Sequence, residues 1–194
     1  MEQWSTGNPS VARDEVLSSI REVLAEREGF WGDLEDYHKP RNNFLNDVLD
    51  RRIGLPITLS LVYMEVSRRL GVLAQGIRLP GHFIVGWPPA AAGSQIRYLD
   101  PYHGGRELIF DDCRGLFQQL VDTEAPFGRD LLRPVRKRAL IARILRNLKM
   151  RYVTGRRFDL ALDAVERILL VELLPTQVRD RGVILAQMGE LSAA

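Results

Sequence analysis

The sequence predicts an α+β fold in which helices precede and follow a small antiparallel sheet. Apolar residues repeat with a helical period between residues 10 and 70, then alternate with a period of two through three short segments after Gly71. The helical period returns from about residue 138. With 194 residues, 45% of them hydrophobic, the chain can bury a core without disulfides or structural metals.

Three helices are predicted ahead of the sheet. The first covers "SVARDEVLSSIREVLAER" (10–27), and an aromatic- and glycine-rich loop follows it. The third, "GLPITLSLVYMEVSRRLG", has Pro56 in its first turn and Gly71 as its stop. The second lies in "NNFLNDVLDRR" and is expected to place four apolar residues on one side: Phe44, Leu45, Val48 and Leu49.

The strands are predicted in "VLAQGIR", "HFIVGW" and "QIRYLD", with residues 88–94 as the hairpin loop between the last two. A symmetric loop would place His82 directly opposite Asp100, close enough for an imidazole–carboxylate hydrogen bond. Such a bond fixes the tautomer and leaves one ring nitrogen free to act as a base. The alternative is a satisfied ion pair at the end of a sheet, with no catalytic role. A further helix is predicted from Asp111.

Several long motifs carry a family resemblance. They are "GFWGDLEDYHKPRNNFLNDVLDRRIGLPITLSLVYMEVSRRLG", "GIRLPGHFIVGW", "YLDPYHGG" and the C-terminal helical pattern. From about residue 29 to 189 the chain resembles the SirB-type proteins, a bacterial branch of the transglutaminase-like superfamily with tetratricopeptide-like helices behind the core. The resemblance implies a papain-like core in which a helix packs on an antiparallel sheet.

Active members of that superfamily use a cysteine at the start of the core helix, followed by a histidine and an aspartate on neighbouring strands. The resemblance assigns the histidine position to His82 and the aspartate position to Asp100. It assigns the cysteine position to Pro56, which has no nucleophilic side chain. The usual thiol mechanism is therefore not expected at this position.

Other nucleophiles are possible in principle. Thr58 and Ser60 lie in the first turns of the same helix, but neither stands at its tip, where a base would have to reach. Cys113 follows Asp111 and Asp112, whose charges would raise the thiol pKa. We expect Cys113 to be a buried core residue.

A metal site is a second alternative. His82, Asp100 and His103 could supply nitrogen and oxygen ligands, and His38 could add a fourth. The sequence has no metal-binding spacing motif, so we expect neither a metal nor another cofactor.

The C-terminal region is predicted to be a helical hairpin of tetratricopeptide type with a third helix beginning after it. The first helix of this hairpin is expected to bury a face formed by Ile141, Ile144 and Leu148. Eleven basic residues fall between Arg129 and Arg157, against Asp130 alone. A basic stretch of this kind would suit a nucleic-acid-associated regulator. We expect these charges instead to be solvated, including Arg143, Arg146, Lys149 and Arg151.

The polar loop before the core helix is expected to be structural, with Asn42, Asn43, Asn46, Arg51 and Arg52 bonded to loop backbone and helix ends. The functional alternative places Asn46 or Arg52 at the rim of the cleft that contains His82.

The chain shows no apolar run of membrane-spanning length and no signal-peptide pattern. With its single cysteine, this favours a cytoplasmic protein.

These observations together predict a transglutaminase-like domain over residues 10–125 and a tetratricopeptide-like helical region over 135–194. The predicted function is non-catalytic: a protein-binding or regulatory module that retains His82 and Asp100 from a degenerate active site. The alternative is a hydrolase or acyltransferase that combines this pair with a non-standard nucleophile, a water or a metal.

Overall fold

The computed structural model describes residues 9–87, 89, 95–121 and 126–190, with side chains from Asp14 onward. Its helices are α1 Pro9–Arg21, α2 Leu45–Arg51, α3 Pro56–Arg69, α4 Phe110–Leu120, α5 Lys137–Thr154, α6 Phe158–Val171 and α7 Pro175–Met188. Its strands are β1 Trp31–Gly32, β2 Ile53–Gly54, β3 Gln75–Leu79, β4 His82–Trp87, β5 Arg97–Asp100 and β6 Arg106–Leu108.

The main sheet is antiparallel, with strand order β3-β4-β5-β6. Its first hairpin pairs Leu79 with His82 through a two-residue turn, in which Gly81 adopts a φ of +77°. Strand β6 was not predicted, because three residues carry too short an alternation to be recognised. The predicted α+β class and small antiparallel sheet are confirmed.

The predicted register between β4 and β5 is wrong by two residues. The structure pairs Val85 with Leu99 and Trp87 with Arg97, whereas a symmetric loop would have paired Val85 with Arg97. Most of the loop that sets the register lies outside the described residues. Because side chains alternate with a period of two, a shift of two residues leaves each side chain on its predicted face.

The two faces of the main sheet carry separate buried clusters. On one face, Leu59 and Tyr63 of α3 pack with Val85 and Leu99. On the other face, Ile84 packs with residues of α4, including the single cysteine. The sheet is therefore covered on both sides, which explains why every residue of β4 is buried.

The first two predicted helices differ in detail from the observed ones. The helix expected over 10–27 is α-helical only to Arg21 and continues as a π-helix over Glu22–Arg27. In the short α2 segment only Val48 is buried, whereas Phe44, Leu45 and Leu49 are exposed. The apolar spacing there indicated a helix but not how much of it would be covered.

Helix α5 is joined to the sheet. The Val135 N–H donates a 2.9 Å hydrogen bond to the Gly76 carbonyl of β3. Leu140 shares a buried cluster with Leu55 at the start of α3 and with Phe83 of β4. The segment that begins at residue 135, which the sequence assigns to the helical region, thus contacts the core.

The C-terminal helices pack in sequence order, α5 on α6 and α6 on α7. Of the apolar face predicted for α5, Leu148 is buried but Ile141 is 48% exposed. The prediction that Lys149 is solvated is wrong: its ammonium donates hydrogen bonds to Gln177 Oε1 (2.7 Å) and Asp180 Oδ2 (2.6 Å) on α7. Helix α7 covers this part of α5, which the period of α5 alone could not reveal.

Among the described residues, no helix combines the length and the apolar character needed to span a bilayer.

Candidate functional site

The predicted contact between His82 and Asp100 is present. His82 Nε2 lies 2.9 Å from Asp100 Oδ1, and both residues are buried. The bond runs diagonally between β4 and β5, since the observed register does not place the two residues directly opposite each other. The structure records no hydrogen bond at His82 Nδ1 within the described part of the chain. The imidazole is thus oriented by one nitrogen and has the other available for a ligand or a water.

His103 is a second histidine on the same carboxylate. Its Nδ1 lies 2.7 Å from Asp100 Oδ2, and its side chain is 47% exposed. A short 3-10 turn, Pro101–His103, brings it back over Asp100, and Gly104 ends that turn in the left-handed region. Sequence reasoning considers His103 only as a metal ligand. The sequence signal that could have indicated its contact with Asp100 is the three-residue spacing of the two residues in "DPYH".

The two histidines determine the ionisation of Asp100. Burial raises the pKa of its carboxyl, but the hydrogen bonds and charges of His82 and His103 outweigh that effect and hold the pKa below its usual value. The Tyr102 N–H adds a further hydrogen bond to Asp100 Oδ1, at 3.2 Å. Asp100 is therefore kept as a carboxylate.

Tyr102, which sequence reasoning missed, connects this site to the N-terminal loop that contains Asp33. Its hydroxyl donates a 2.7 Å hydrogen bond to the Asp33 carbonyl, and its ring lies edge-on to the His82 ring, with centroids 5.9 Å apart. A Cβ added at Gly32 would stand 2.5 Å from the Tyr102 ring, so only glycine allows this approach. Tyr102 thus anchors the His82–Asp100 pair from outside the sheet.

The start of α3 is held by a cap made from Thr58. The Thr58 hydroxyl accepts a 2.9 Å hydrogen bond from the Leu55 N–H and donates one of 2.9 Å to the Asn42 carbonyl. Pro56, the first residue of α3, is buried between Leu55 and Ile57. Those two neighbours share a buried cluster with Phe83, the residue after His82. The tip of α3 therefore lies beside the strand that begins at His82.

The structural role predicted for the polar loop is observed for Asn42, Asn43 and Arg51, each of which donates a hydrogen bond to a backbone carbonyl. Asn42 donates hydrogen bonds to Asp33 Oδ2 (2.9 Å) and the Asp36 carbonyl (3.0 Å), and accepts one from Arg51 (2.7 Å). This network holds the loop and the tip of α3 together.

The functional alternative for the loop receives no support. Arg52 forms a 2.8 Å ion pair with Glu28, and Asn46 is exposed. Neither has a recorded contact with His82 in the described residues.

The candidate nucleophiles are either engaged in hydrogen bonds or buried. The Thr58 hydroxyl is engaged in the cap. Ser60 is fully buried, and its hydroxyl has no hydrogen-bond partner in the described residues. Cys113 is fully buried, and burial, followed by the charges of Asp112 and Asp100, raises its thiol pKa to about 12. This thiol is protonated at neutral pH.

Three side chains could together ligate a metal ion. One ligand atom from each of His82, Asp100 and His103 lies within 4.8 Å of the others. Two imidazoles and a carboxylate suit Zn²⁺ or a related transition metal. Each imidazole hydrogen-bonds the carboxylate through one nitrogen, so a cation bound through those two nitrogens would have to replace both bonds. His38, the fourth candidate, is not part of this group and instead packs edge-on against Tyr37.

Comparison with known proteins identifies the family of the chain. Residues 2–146 match the family model described as the transglutaminase-like superfamily. The chain belongs to that superfamily. No solved structure matches it.

Two groups of relatives are similar to this transglutaminase-like chain. A UPF0162 protein of Xylella fastidiosa (strain Temecula1) is 38% identical over 182 residues, which cover 92% of this chain and 64% of that protein. F-box only protein 21 of Mus musculus is 31% identical over 172 residues, covering 86% of this chain and 27% of that protein. The chain thus spans less than two thirds of the length of these relatives.

Proposed function

We propose that this transglutaminase-like protein is non-catalytic and acts as a protein-binding or regulatory module. The observation that carries the proposal is Pro56 as the first residue of α3, beside the strand that begins at His82. A helix tip lowers the pKa of a thiol placed there, but proline offers no group to activate. His82 and Asp100 are then an oriented pair without a nucleophile.

The side chains around the pair support this proposal. Thr58, Ser60 and Cys113 are engaged or buried, so none replaces the absent thiol. Tyr102 bonds both to Asp100 and to the backbone of Asp33, so the His82–Asp100 pair also has a structural role. That role accounts for the pair in a protein without catalysis. Such a site can still bind, because Nδ1 of His82 and the half-exposed His103 remain able to contact a ligand.

The C-terminal helices are the second surface that we assign to partner binding. We propose that α5, α6 and α7 form a tetratricopeptide-like unit that presents apolar side chains to a protein segment. Leu170 is 88% exposed and Leu173 is 79% exposed, both at the α6–α7 junction. In F-box only protein 21 the related region makes up 27% of a longer protein, an arrangement that suits a binding module.

Activity-based labelling tests the absence of catalysis. Thiol- and serine-directed probes should leave every residue of the native protein unlabelled, as read by peptide mapping. A labelled residue whose modification disappears in His82→Ala would overturn the non-catalytic assignment.

Partner binding requires point variants, because removal of residues 135–194 would uncover Leu55 and Phe83. Affinity capture with the full chain should be compared with His103→Ala, which alters the cleft, and Leu170→Glu, which alters the helical surface. A captured protein should then be purified and its affinity for each form measured. Affinity unchanged by both substitutions would contradict the proposed surfaces.

A further inference from the structure

A cavity of about 350 Å³ lies between the β3–β4 turn and α5. Its walls include Pro80 and Gly81 of the turn and Phe83 of β4 on one side, and Ala139 and Asn147 of α5 on the other. Three arginines, Arg78, Arg143 and Arg146, also line it, and no acidic residue does. This is unusual, because like charges gathered in a partly enclosed space repel one another.

Arg143 is half-buried, as is Arg146. Its guanidinium donates a 3.3 Å hydrogen bond to the His82 carbonyl and lies 5.8 Å from the centroid of the Phe83 ring. Within the described residues it has no recorded carboxylate partner. Burial, together with the neighbouring charges of Arg78 and Arg146, lowers the pKa of Arg143. A partly desolvated cation without a counter-charge costs free energy that an anion would recover.

The other two arginines differ in their pairing. Arg146 forms a 2.7 Å ion pair with Glu172 of the α6–α7 junction, so its charge is compensated. The Arg78 side chain is exposed and has no recorded hydrogen bond or ion pair in the described part of the chain. The cavity therefore holds two uncompensated guanidinium groups, one held by its contacts and one exposed.

We propose that this cavity binds an oxyanion, a phosphate or carboxylate group, held by Arg143 and Arg78 with Asn147 as an additional hydrogen-bond donor. A guanidinium matches the geometry of both groups through paired N–H donors. The volume is that of a small-molecule site, large enough for a phosphate ester or an acidic side chain. Since Arg143 contacts the backbone of His82, the bound group lies next to the site described above.

The proposal is tested by titrating the full chain with inorganic phosphate and, separately, with citrate. Each titration is compared with sodium chloride of equal ionic strength, and is read by thermal unfolding and isothermal calorimetry. We expect saturable binding of at least one anion that weakens as salt is added. Phosphate binding without citrate binding would assign the site to phosphoryl groups, and the reverse would assign it to carboxylates.

The variants decide where the anion binds. Arg143→Gln and Arg78→Gln should each weaken the affinity about tenfold or more, because each removes a charge-assisted hydrogen bond. Arg138→Gln is the matched control, since Arg138 lies on the same helix but is exposed and outside the cavity. Arg78 is exposed, so its variant remains informative if the Arg143 variant is unstable. Absence of saturable binding, or binding that both cavity variants retain, would overturn the proposal.

Discussion

Tyr102 donates a hydrogen bond to the backbone of Asp33, 69 residues earlier in the chain, while its main-chain N–H is bonded to Asp100. One residue therefore joins the N-terminal loop to the carboxylate that orients His82. This connection requires that residue 32 has no side chain, because the Tyr102 ring lies against Gly32. The position of the aspartate is thus determined in part by a glycine far away in sequence.

Gly32→Ala should destabilise the protein by about 1–3 kcal/mol, because the new Cβ would overlap the Tyr102 ring and force it to move. Urea unfolding measures the loss. Gly115→Ala is the control: nothing lies within 4 Å of a Cβ there, and alanine in the interior of α4 should add about 0.5–1 kcal/mol. Equal effects of the two substitutions would contradict the proposed contact.

Pro56→Cys should create a reactive thiol, because the tip of α3 lowers the thiol pKa and the family resemblance assigns His82 as the base for this position. Alkylation by iodoacetamide at pH 7, located by peptide mapping, should be several times faster than in the Pro56→Cys/His82→Ala double variant. Cys113 serves as an internal reference that stays unmodified, since it is buried and its pKa is raised to about 12. Labelling of the introduced thiol that does not depend on His82 would show that Pro56 does not occupy the nucleophile's position.

Lys149→Met should cost about 2–3 kcal/mol of unfolding free energy, because it leaves Gln177 without its partner and removes a hydrogen bond from Asp180. Asp180 keeps an ion pair with Arg179, which limits the loss. Lys137→Met, at an exposed position of the same helix, should change stability by less than about 0.5 kcal/mol. Similar losses from both variants would argue against a special role for the buried ammonium.

Asp100→Asn should lower stability in a pH-dependent manner. The pKa of Asp100 is lower in the folded protein than its usual value of 3.8, so the folded state favours the carboxylate. Its contribution, on the order of 1–3 kcal/mol, is fully present above about pH 4 and is lost as the pH falls through the lowered pKa. The difference in unfolding free energy between wild type and variant should therefore shrink below about pH 4. A difference that stays constant or grows on acidification would exclude this linkage.

The pairing of His82 with Asp100 could be predicted from sequence because strand side chains alternate with a period of two. A register error of two residues keeps both side chains on one face, and a diagonal contact is still within reach of an imidazole. The register itself could not be predicted, since a seven-residue loop does not define one geometry.

Other parts of the site and fold depend on contacts that no local pattern encodes. The Tyr102–Asp33 hydrogen bond joins two loops, where neither a helical nor a strand period applies. The period of α5 indicates which residues share a face, but only the packing of α7 shows that Lys149 is covered. The resemblance to transglutaminase-like proteins assigns His82 and Asp100 to the histidine and aspartate positions, whereas the contact of His103 with Asp100 was found only in the structure.

The attachment of α5 to the sheet has a mechanical consequence. The chain is tied to β3 through Val135 and to the first residue of β4 through Arg143. A partner that pulls α5 outward must break the hydrogen bond to the His82 carbonyl and expose the ring of Phe83 to water. Force applied at the C-terminal helices is thereby transmitted to the backbone of the histidine, although that histidine belongs to a different layer of the molecule.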